Sequence, residues 1–240
     1  MRIAMWSGPR NLSTAMMYSF AARGDCAVRD EPFYAAYLNK TGLPHPVADQ
    51  IMAANEIDPY KVVAACCGSN MGNRPHFYMK LMAHHMLEDV PIDWAADCVN
   101  IHLIRHPARV IASYGAKRAE PTLDDIGFAR QLTLYENLGG LVIDSHDIRK
   151  NPKAMLQALC AEIGLDWTAD MLQWPAGGHA DDGVWATHWY GAVHRSTGFA
   201  GPEGKLPELP AAHEELLQQA LSYYDCMATE RLHPAGNQTS

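Results

Sequence analysis

The stretch that most constrains this chain is its opening, MRIAMWSGPRNLSTAMMYSF. Arg2 to Trp6 reads as a short apolar strand. Ser7 to Asn11 carries Gly and Pro and reads as a tight turn. A helix then starts near Leu12–Ser13 and carries Ala15, Met16, Met17 and Phe20. Such a strand–turn–helix gathers unpaired backbone N–H groups and the positive end of a helix dipole at one point. An anion seated there collects several hydrogen bonds at once. Arg10 adds a permanent cation, and Ser13 and Thr14 add hydroxyl donors. The stretch reads either as a phosphate or sulfate cradle or as a plain connection of an α/β domain that binds nothing. It is not the nucleotide triphosphatase loop G-x-x-x-x-G-K-[ST]. Arg10 stands where the lysine of such a loop would be sought, which argues against an ordinary ATP–magnesium complex.

The rest of the chain sets the background for that cradle. At 240 residues and 48% hydrophobic it can bury a sizeable core. A net charge of −8 argues against a broad nucleic-acid footprint, so an anion site must be built locally from a few arginines and helix ends. The six cysteines show no C-x-x-C pair and no zinc spacing. That pattern suits reduced thiols in a cytoplasmic protein. The twelve histidines are scattered, none in H-E-x-x-H, so no metal is expected. No signal peptide is expected, because Met1 runs straight into a strand, and no apolar run is long enough to span a bilayer.

Alternating strands and helices follow. Asp25 to Arg29 is a candidate second strand running into Asp30-Glu31-Pro32. Pro32 keeps Glu31 out of helical geometry and suits a first helical turn. Either Asp30 or Glu31 caps the next helix or, if the second strand neighbours the first, the Glu31 carboxylate lies near the cradle beyond the strand ends. Short helices are expected over Val47 to Ala54 and Tyr60 to Cys67. His76 to Met82 reads as a third strand with Lys80 near its end, facing either a site or solvent; His84 and His85 follow. Asp97 to Arg105 is a buried strand, with Val99, Ile101 and Leu103 alternating. Beyond His106-Pro107 a helix carries Ser113, eight residues after Arg105. One phosphate meets both if the chain folds back at Pro107.

Pro121 to Gly139 reads as one long helix, Gly140 to Asp144 as a strand, and Asn151-Pro152 to Ile163 as a helix stopped at Gly164. This alternation predicts an α/β fold with a mainly parallel central sheet and helices on both faces. Trp167 to Gly204 is irregular, and a loop of that length is usually functional or mobile. Within it, Arg195, Ser196 and Gly198 again offer a cation, a hydroxyl and a permissive backbone. Trp174, Trp185, Trp189 and Tyr190 are either core or an aromatic wall for an acceptor. A final helix is expected over about Pro210 to Glu230, and a frayed tail from Pro234 to Ser240. Nothing demands a second domain.

Two stretches together resemble the sulfotransferase family, whose members use 3′-phosphoadenosine 5′-phosphosulfate (PAPS). Gly8-Pro9-Arg10-Asn11-Leu12-Ser13-Thr14 is similar to the family's 5′-phosphosulfate loop. Leu103 to Tyr114, with Arg105 and Ser113, is similar to its 3′-phosphate motif. The phrases MWSGPRNLSTAMMYSF, RDEPFYAAYL, KLMAHH and STGF resemble a bacterial sulfotransferase-like subgroup. The resemblance implies one domain over residues 1–240 with a P-loop-containing nucleoside triphosphate hydrolase-like fold, PAPS as co-substrate without a metal, and sulfuryl transfer to a hydroxyl or amine of a small-molecule or carbohydrate acceptor.

The same resemblance implies the roles. Gly8 to Thr14 holds the 5′-phosphosulfate, Arg10 also neutralising the leaving phosphate. Arg105 and Ser113 anchor the 3′-phosphate, and Arg195, Ser196 and Gly198 stand for the late nucleotide-binding loop. Lys80 reaches the bridging oxygen or sulfuryl group. Glu31 is the base, as in carbohydrate-type sulfotransferases, and His84 is the alternative because its ordinary pKa suits proton transfer. Three departures stand out. Leu12 replaces a loop glycine, Met82 stands where cytosolic members carry a catalytic histidine, and the late Arg-Lys-Gly pattern is missing. Two rival readings follow: a nucleotide-binding or interaction protein on a sulfotransferase fold, and a kinase-like P-loop enzyme.

Overall fold

The computed structural model describes residues 1–68, 73–116 and 120–234. The tail expected to fray lies outside the described residues from position 235 on.

The chain opens with β1 (Arg2–Ser7) and α1 (Ser13–Ala22), then β2 (Cys26–Asp30) and α2 (Tyr34–Thr41). Two short helices, α3 (Ala48–Ala54) and α4 (Pro59–Cys67), precede β3 (His76–Met82). Pro59 occupies the first turn of α4, and the Asp58 carboxylate accepts the Tyr60 N–H at 2.9 Å. A 3₁₀ turn over Ala83–His85 and a longer connection lead to β4 (Val99–Ile104) and α5 (Pro107–Gly115). Then come α6 (Leu123–Ile126), α7 (Phe128–Leu138), β5 (Leu141–Asp144), α8 (Ser145–Lys150) and α9 (Pro152–Ile163). The irregular stretch keeps only short turns of helix, α10 (Ala186–Trp189) and α11 (Gly191–His194), before α12 (Glu214–Ala228).

Among the described residues five strands form one wholly parallel sheet in the order β2-β3-β1-β4-β5. Alternate residues of β1 point to opposite faces. Ile3 and Met5 join a core with α1, α8 and α9, whereas Ala4 and Trp6 join one with α4 and α7. Both faces are therefore covered, which is why the strands read as continuous apolar runs. The fold is α/β with a parallel central sheet and helices on both faces, as the alternation of elements predicts.

Two local expectations change. The second strand does not neighbour the first, because β3 lies between them. The long helix expected over Pro121 to Gly139 is two helices broken at Gly127, whose φ of 72° is left-handed. A side chain there would meet His84 at 3.4 Å, so the break lets the chain pass close to the turn after β3.

The order of strands fixes where a ligand can lie. From β1 the chain leaves toward β2 and β3; from β4 it leaves toward β5. Neighbouring strands whose connections part in this way open a crevice beyond their carboxyl ends. The turns after β1 and β4 carry Arg10 and Arg105 at that crevice.

Candidate active site

The turn after β1 is bolted down from behind. The Gly8 N–H donates to Gln131 Oε1 at 3.1 Å, and a Cβ on Gly8 would stand 2.6 Å from the Ile126 carbonyl oxygen. The Gln131 amide donates to the carbonyls of Trp6 and Leu103 at 3.2 and 2.9 Å, and Asn11 Nδ2 donates to the same Leu103 carbonyl at 3.1 Å. Gly8 thus supports the turn from behind and is not on the cleft wall. Arg10 and Leu12 take left-handed φ values of 64° and 72°. Such a conformation costs about 1–2 kcal/mol at a non-glycine residue, and turns containing it form anion-binding concavities. Leu12 therefore follows the backbone path that glycine would take, directly before the N-terminus of α1.

The second turn meets the first. Arg10 Nε donates to Ser113 Oγ at 2.8 Å, and Arg105 Nη1 donates to the Arg10 carbonyl at 2.6 Å. Burial, and then the nearby Arg105 charge, push the Arg10 pKa below its ordinary value. The two arginines thus meet through the Arg10 carbonyl, and Arg105 is paired on its other side with Glu203.

A cavity of about 320 Å³ opens over both turns. Pro9 to Thr14 form one wall, and Arg105, Ser113, Ser196 and Gly198 line the same space. Arg195 is exposed and is not among the lining residues. Glu31, Lys80 and His84 border the cavity as well. The stretches chosen from the sequence therefore share one cleft, except Gly8, which lies behind it, and Arg195, which lies outside it.

Glu31 sits just past β2 with φ 36°, its N–H continuing the ladder to the Lys80 carbonyl at 3.0 Å. The first turn of α2 has no side-chain cap, so neither Asp30 nor Glu31 is spent there. Lys80 is not a surface lysine. Its side chain is 1% exposed, and Nζ donates to Asp30 Oδ1 at 2.8 Å and Glu31 Oε1 at 2.7 Å. The Tyr190 hydroxyl joins them: it accepts from Lys80 Nζ at 2.5 Å and from Trp185 Nε1 at 2.9 Å, and lies 2.8 Å from Asp30 Oδ2. The Gly183 N–H adds a bond to Asp30 Oδ2 at 3.1 Å.

Burial pushes the Glu31 pKa up; the Lys80 charge opposes the rise without cancelling it, and Asp30 adds to it. Burial acts to lower the Lys80 pKa, but the two carboxylates overcome it and the net shift is upward. The ammonium is thus held charged beside a carboxylate that is more basic than usual. His84 differs from its sequence expectation. Burial pushes its pKa down to about 3, with the His45 charge adding to the fall, so its ordinary near-neutral pKa is lost.

Sequence reasoning missed Asp30, Gln131 and the hydroxyl of Tyr190 as parts of this machinery. The Asp30-Glu31-Pro32 triplet was a usable signal for the first. A glutamine within a helix and an aromatic in an irregular loop carried none. Of the aromatics considered for an acceptor wall, Trp174 and Trp185 are core, while Trp189 and Tyr190 border the cleft.

A parallel α/β sheet with two arginine-bearing turns meeting at its crevice, and a buried lysine–carboxylate cluster beside them, define an α/β domain whose cleft is lined by ionisable groups. The family is sharper than the class: a model described as "Sulfotransferase domain" matches residues 1–231, and the chain belongs to that family. Two solved domains share the fold, with helices about a parallel sheet of the P-loop-like kind. One is the sulfotransferase domain of the Synechococcus PCC 7002 olefin synthase, with a TM-score of 0.54 at 18% identity, covering 94% of each chain. The other is a sulfotransferase domain from the curacin biosynthetic pathway, with a TM-score of 0.54 at 15% identity over 93% of this chain and 96% of that one. Among curated proteins, the chain is 33% and 34% identical over 236 residues to branched-chain-amino-acid aminotransferase-like proteins 2 and 1 of Arabidopsis thaliana. It matches 96% of this chain but only 42% of their length. Among the described residues no helix is long and apolar enough to cross a membrane, and no cluster of His, Cys, Asp and Glu is arranged to hold a metal ion.

Proposed function

We propose that this domain transfers a sulfuryl group from PAPS to a hydroxyl or amine of a small-molecule or carbohydrate acceptor. The observation that carries the reading is the meeting of the Arg10 and Arg105–Ser113 turns, at 2.6 and 2.8 Å, in one cleft with Lys80 and Glu31. The donor set fits a nucleotide with phosphates at both ends. The Arg10–Thr14 turn and the start of α1 suit the 5′-phosphosulfate, and Arg105 with Ser113 suits the 3′-phosphate.

Sulfuryl transfer, by analogy with phosphoryl transfer, asks for in-line positioning and charge stabilisation more than for covalent help. Arg10 and the turn N–H groups balance charge on the departing phosphate. Lys80, held by Asp30 and Tyr190, faces the group in flight. Glu31 accepts the acceptor's proton, its raised pKa making it the better base. His84, with a pKa of about 3, is a weak one at neutral pH. The six cysteines are free, which suits work in the reducing cytoplasm.

Incubation with PAPS and a panel of alcohols, phenols, amines and sugars, read by mass spectrometry, tests this. Sulfated product and adenosine 3′,5′-bisphosphate should accumulate together. A second reading, nucleotide binding without transfer, rests on Leu12, which takes a φ of 72° at the loop position where glycine is expected, and on the missing late Arg-Lys-Gly pattern. Tight bisphosphate binding with no turnover across the panel would decide for it.

A further inference from the structure

Glu203 has no part in the chemistry above, yet its side chain is 1% exposed while Gly201, Pro202, Gly204 and Lys205 around it are exposed. Three guanidinium groups surround its carboxylate: Arg105 from the end of β4, Arg109 from the first turn of α5, and Arg149 near the end of α8. Arg105 donates to Oε1 through Nε at 3.1 Å and also through Nη2, and Arg149 Nη1 donates to the same oxygen at 2.9 Å. Arg109 Nε lies 3.0 Å from Oε2. The same arginines hold the flanking backbone, Arg149 Nε donating to the Gly201 carbonyl at 2.9 Å and Arg109 Nη2 to that of Gly204. From Ala200 to Leu206 no apolar side chain is buried, so among the described residues the strap is fastened by these ion pairs and hydrogen bonds.

The fit of this carboxylate is incomplete. Among the described residues three cations face one negative charge, in a chain whose net charge is −8. Oε1 is shared by two arginines, and Oε2 stands within ion-pair distance of Arg109 without an aligned hydrogen bond. A phosphate monoester brings about −1.5 to −2 charges and three strong acceptor oxygens, which matches three guanidinium groups better than a carboxylate does. One member of the nest reaches the cleft: Arg105 lines the cavity and donates to the Arg10 carbonyl, and Ala200 at the start of the strap borders the same space.

We propose that Glu203 is an internal stand-in for a ligand phosphate: Arg105, Arg109 and Arg149 form a nest selective for a phosphate monoester, and the strap over residues 200–206 is released when that group displaces the carboxylate. The inference rests on the nucleotide reading of the cleft. It adds Arg109 and Arg149 as specificity-determining residues and gives the chain an internal competitor for its own nucleotide. A nucleotide without the second phosphate leaves the strap shut.

The test is calorimetry of the full chain with adenosine 3′,5′-bisphosphate and with adenosine 5′-monophosphate, together with hydrogen exchange over residues 200–206. Glu203→Gln should bind the bisphosphate about tenfold more tightly, the scale of one charge-assisted contact no longer competed for, with the monophosphate unchanged. Arg149→Gln should lower the preference for bisphosphate over monophosphate by about tenfold on the same scale. In the wild-type chain the bisphosphate should speed exchange in the strap and the monophosphate should not. That readout needs no variant to fold. Equal or weaker bisphosphate binding by a folded Glu203→Gln chain, or slower strap exchange with bisphosphate bound, overturns the proposal while leaving the nucleotide reading intact. Failure of the wild-type chain to bind either nucleotide overturns both.

Discussion

Replacing Lys80 by Met takes one charge out of a buried ionised cluster and leaves the rest in place. The ammonium makes three hydrogen bonds, to Asp30 at 2.8 Å, Glu31 at 2.7 Å and Tyr190 at 2.5 Å, and the two carboxylate side chains are 1% and 10% exposed. Breaking a buried ion pair from one side costs about 3–5 kcal/mol, because the partner's charge stays buried without compensation. At this chain length each kcal/mol lowers the melting temperature by about 2 °C, so Lys80→Met should melt about 6–10 °C below wild type at pH 7. The sign with pH follows from Glu31. Its folded pKa is already raised, and loss of the opposing Lys80 charge raises it further. A group with a raised folded pKa favours folding at low pH and loses that contribution as pH rises through the folded pKa. The deficit of the variant should therefore shrink at pH 5. Adding Asp30→Asn should recover at least about 2 kcal/mol of the loss, because one buried charge then remains where there were two. Differential scanning calorimetry at both pH values measures all of this. A Lys80→Met chain melting within about 2 °C of wild type at pH 7, or one whose deficit grows on acidification, would show that the cluster is not held by this charge.

Three further outcomes are expected. Glu31→Gln should slow sulfuryl transfer by about 10²–10⁴-fold, the usual worth of a general base, and should remove an acid limb in the rate that lies above the ordinary carboxylate pKa; a surviving limb, or a wild-type rate across the neutral range, assigns the base elsewhere. Arg105→Ala should weaken adenosine 3′,5′-bisphosphate binding by about 1.5–3 kcal/mol, and unchanged affinity by calorimetry would take Arg105 out of the site. His84→Asn should blunt acid sensitivity. The folded pKa of about 3 lies below the ordinary 6.5, so neutral His84 stabilises above pH 6.5 and its contribution is lost as pH falls toward 3. Between pH 7 and pH 4.5 that loss is about 2–3 kcal/mol in the wild-type chain; urea titrations with equal pH slopes for both chains would contradict it.

Much of this was legible in the chain itself. The run Arg2–Ser7 followed by Gly8-Pro9 and then Ser13-Thr14 specifies a strand, a turn and a helix through local preferences alone. Pro107 and Pro152 announce the starts of α5 and α9, and Gly164 the end of α9, because fixed φ and tolerance of left-handed φ are properties of single residues. The alternation of such units made the parallel sheet predictable. Arg10, Ser113 and Arg105 could be chosen from motif and spacing, but their contact could not: Ser113 is 103 positions from Arg10, and only the placement of β4 beside β1 brings them to 2.8 Å.

Tertiary structure decided the rest, for one physical reason. Local sequence sets dihedral angles and caps, whereas burial and charge partners depend on which distant faces pack together. The insertion of β3 between β1 and β2 seats Lys80 against Asp30 and Glu31; the packing of the irregular segment brings in Tyr190, 110 positions further along. Close approach to His84 breaks the expected helix at Gly127, and burial takes away that histidine's near-neutral pKa. Glu203 lies in the irregular stretch and carries no sequence signal of its own. It becomes the counter-ion of Arg105, Arg109 and Arg149 only because the chain closes back across the ends of the sheet.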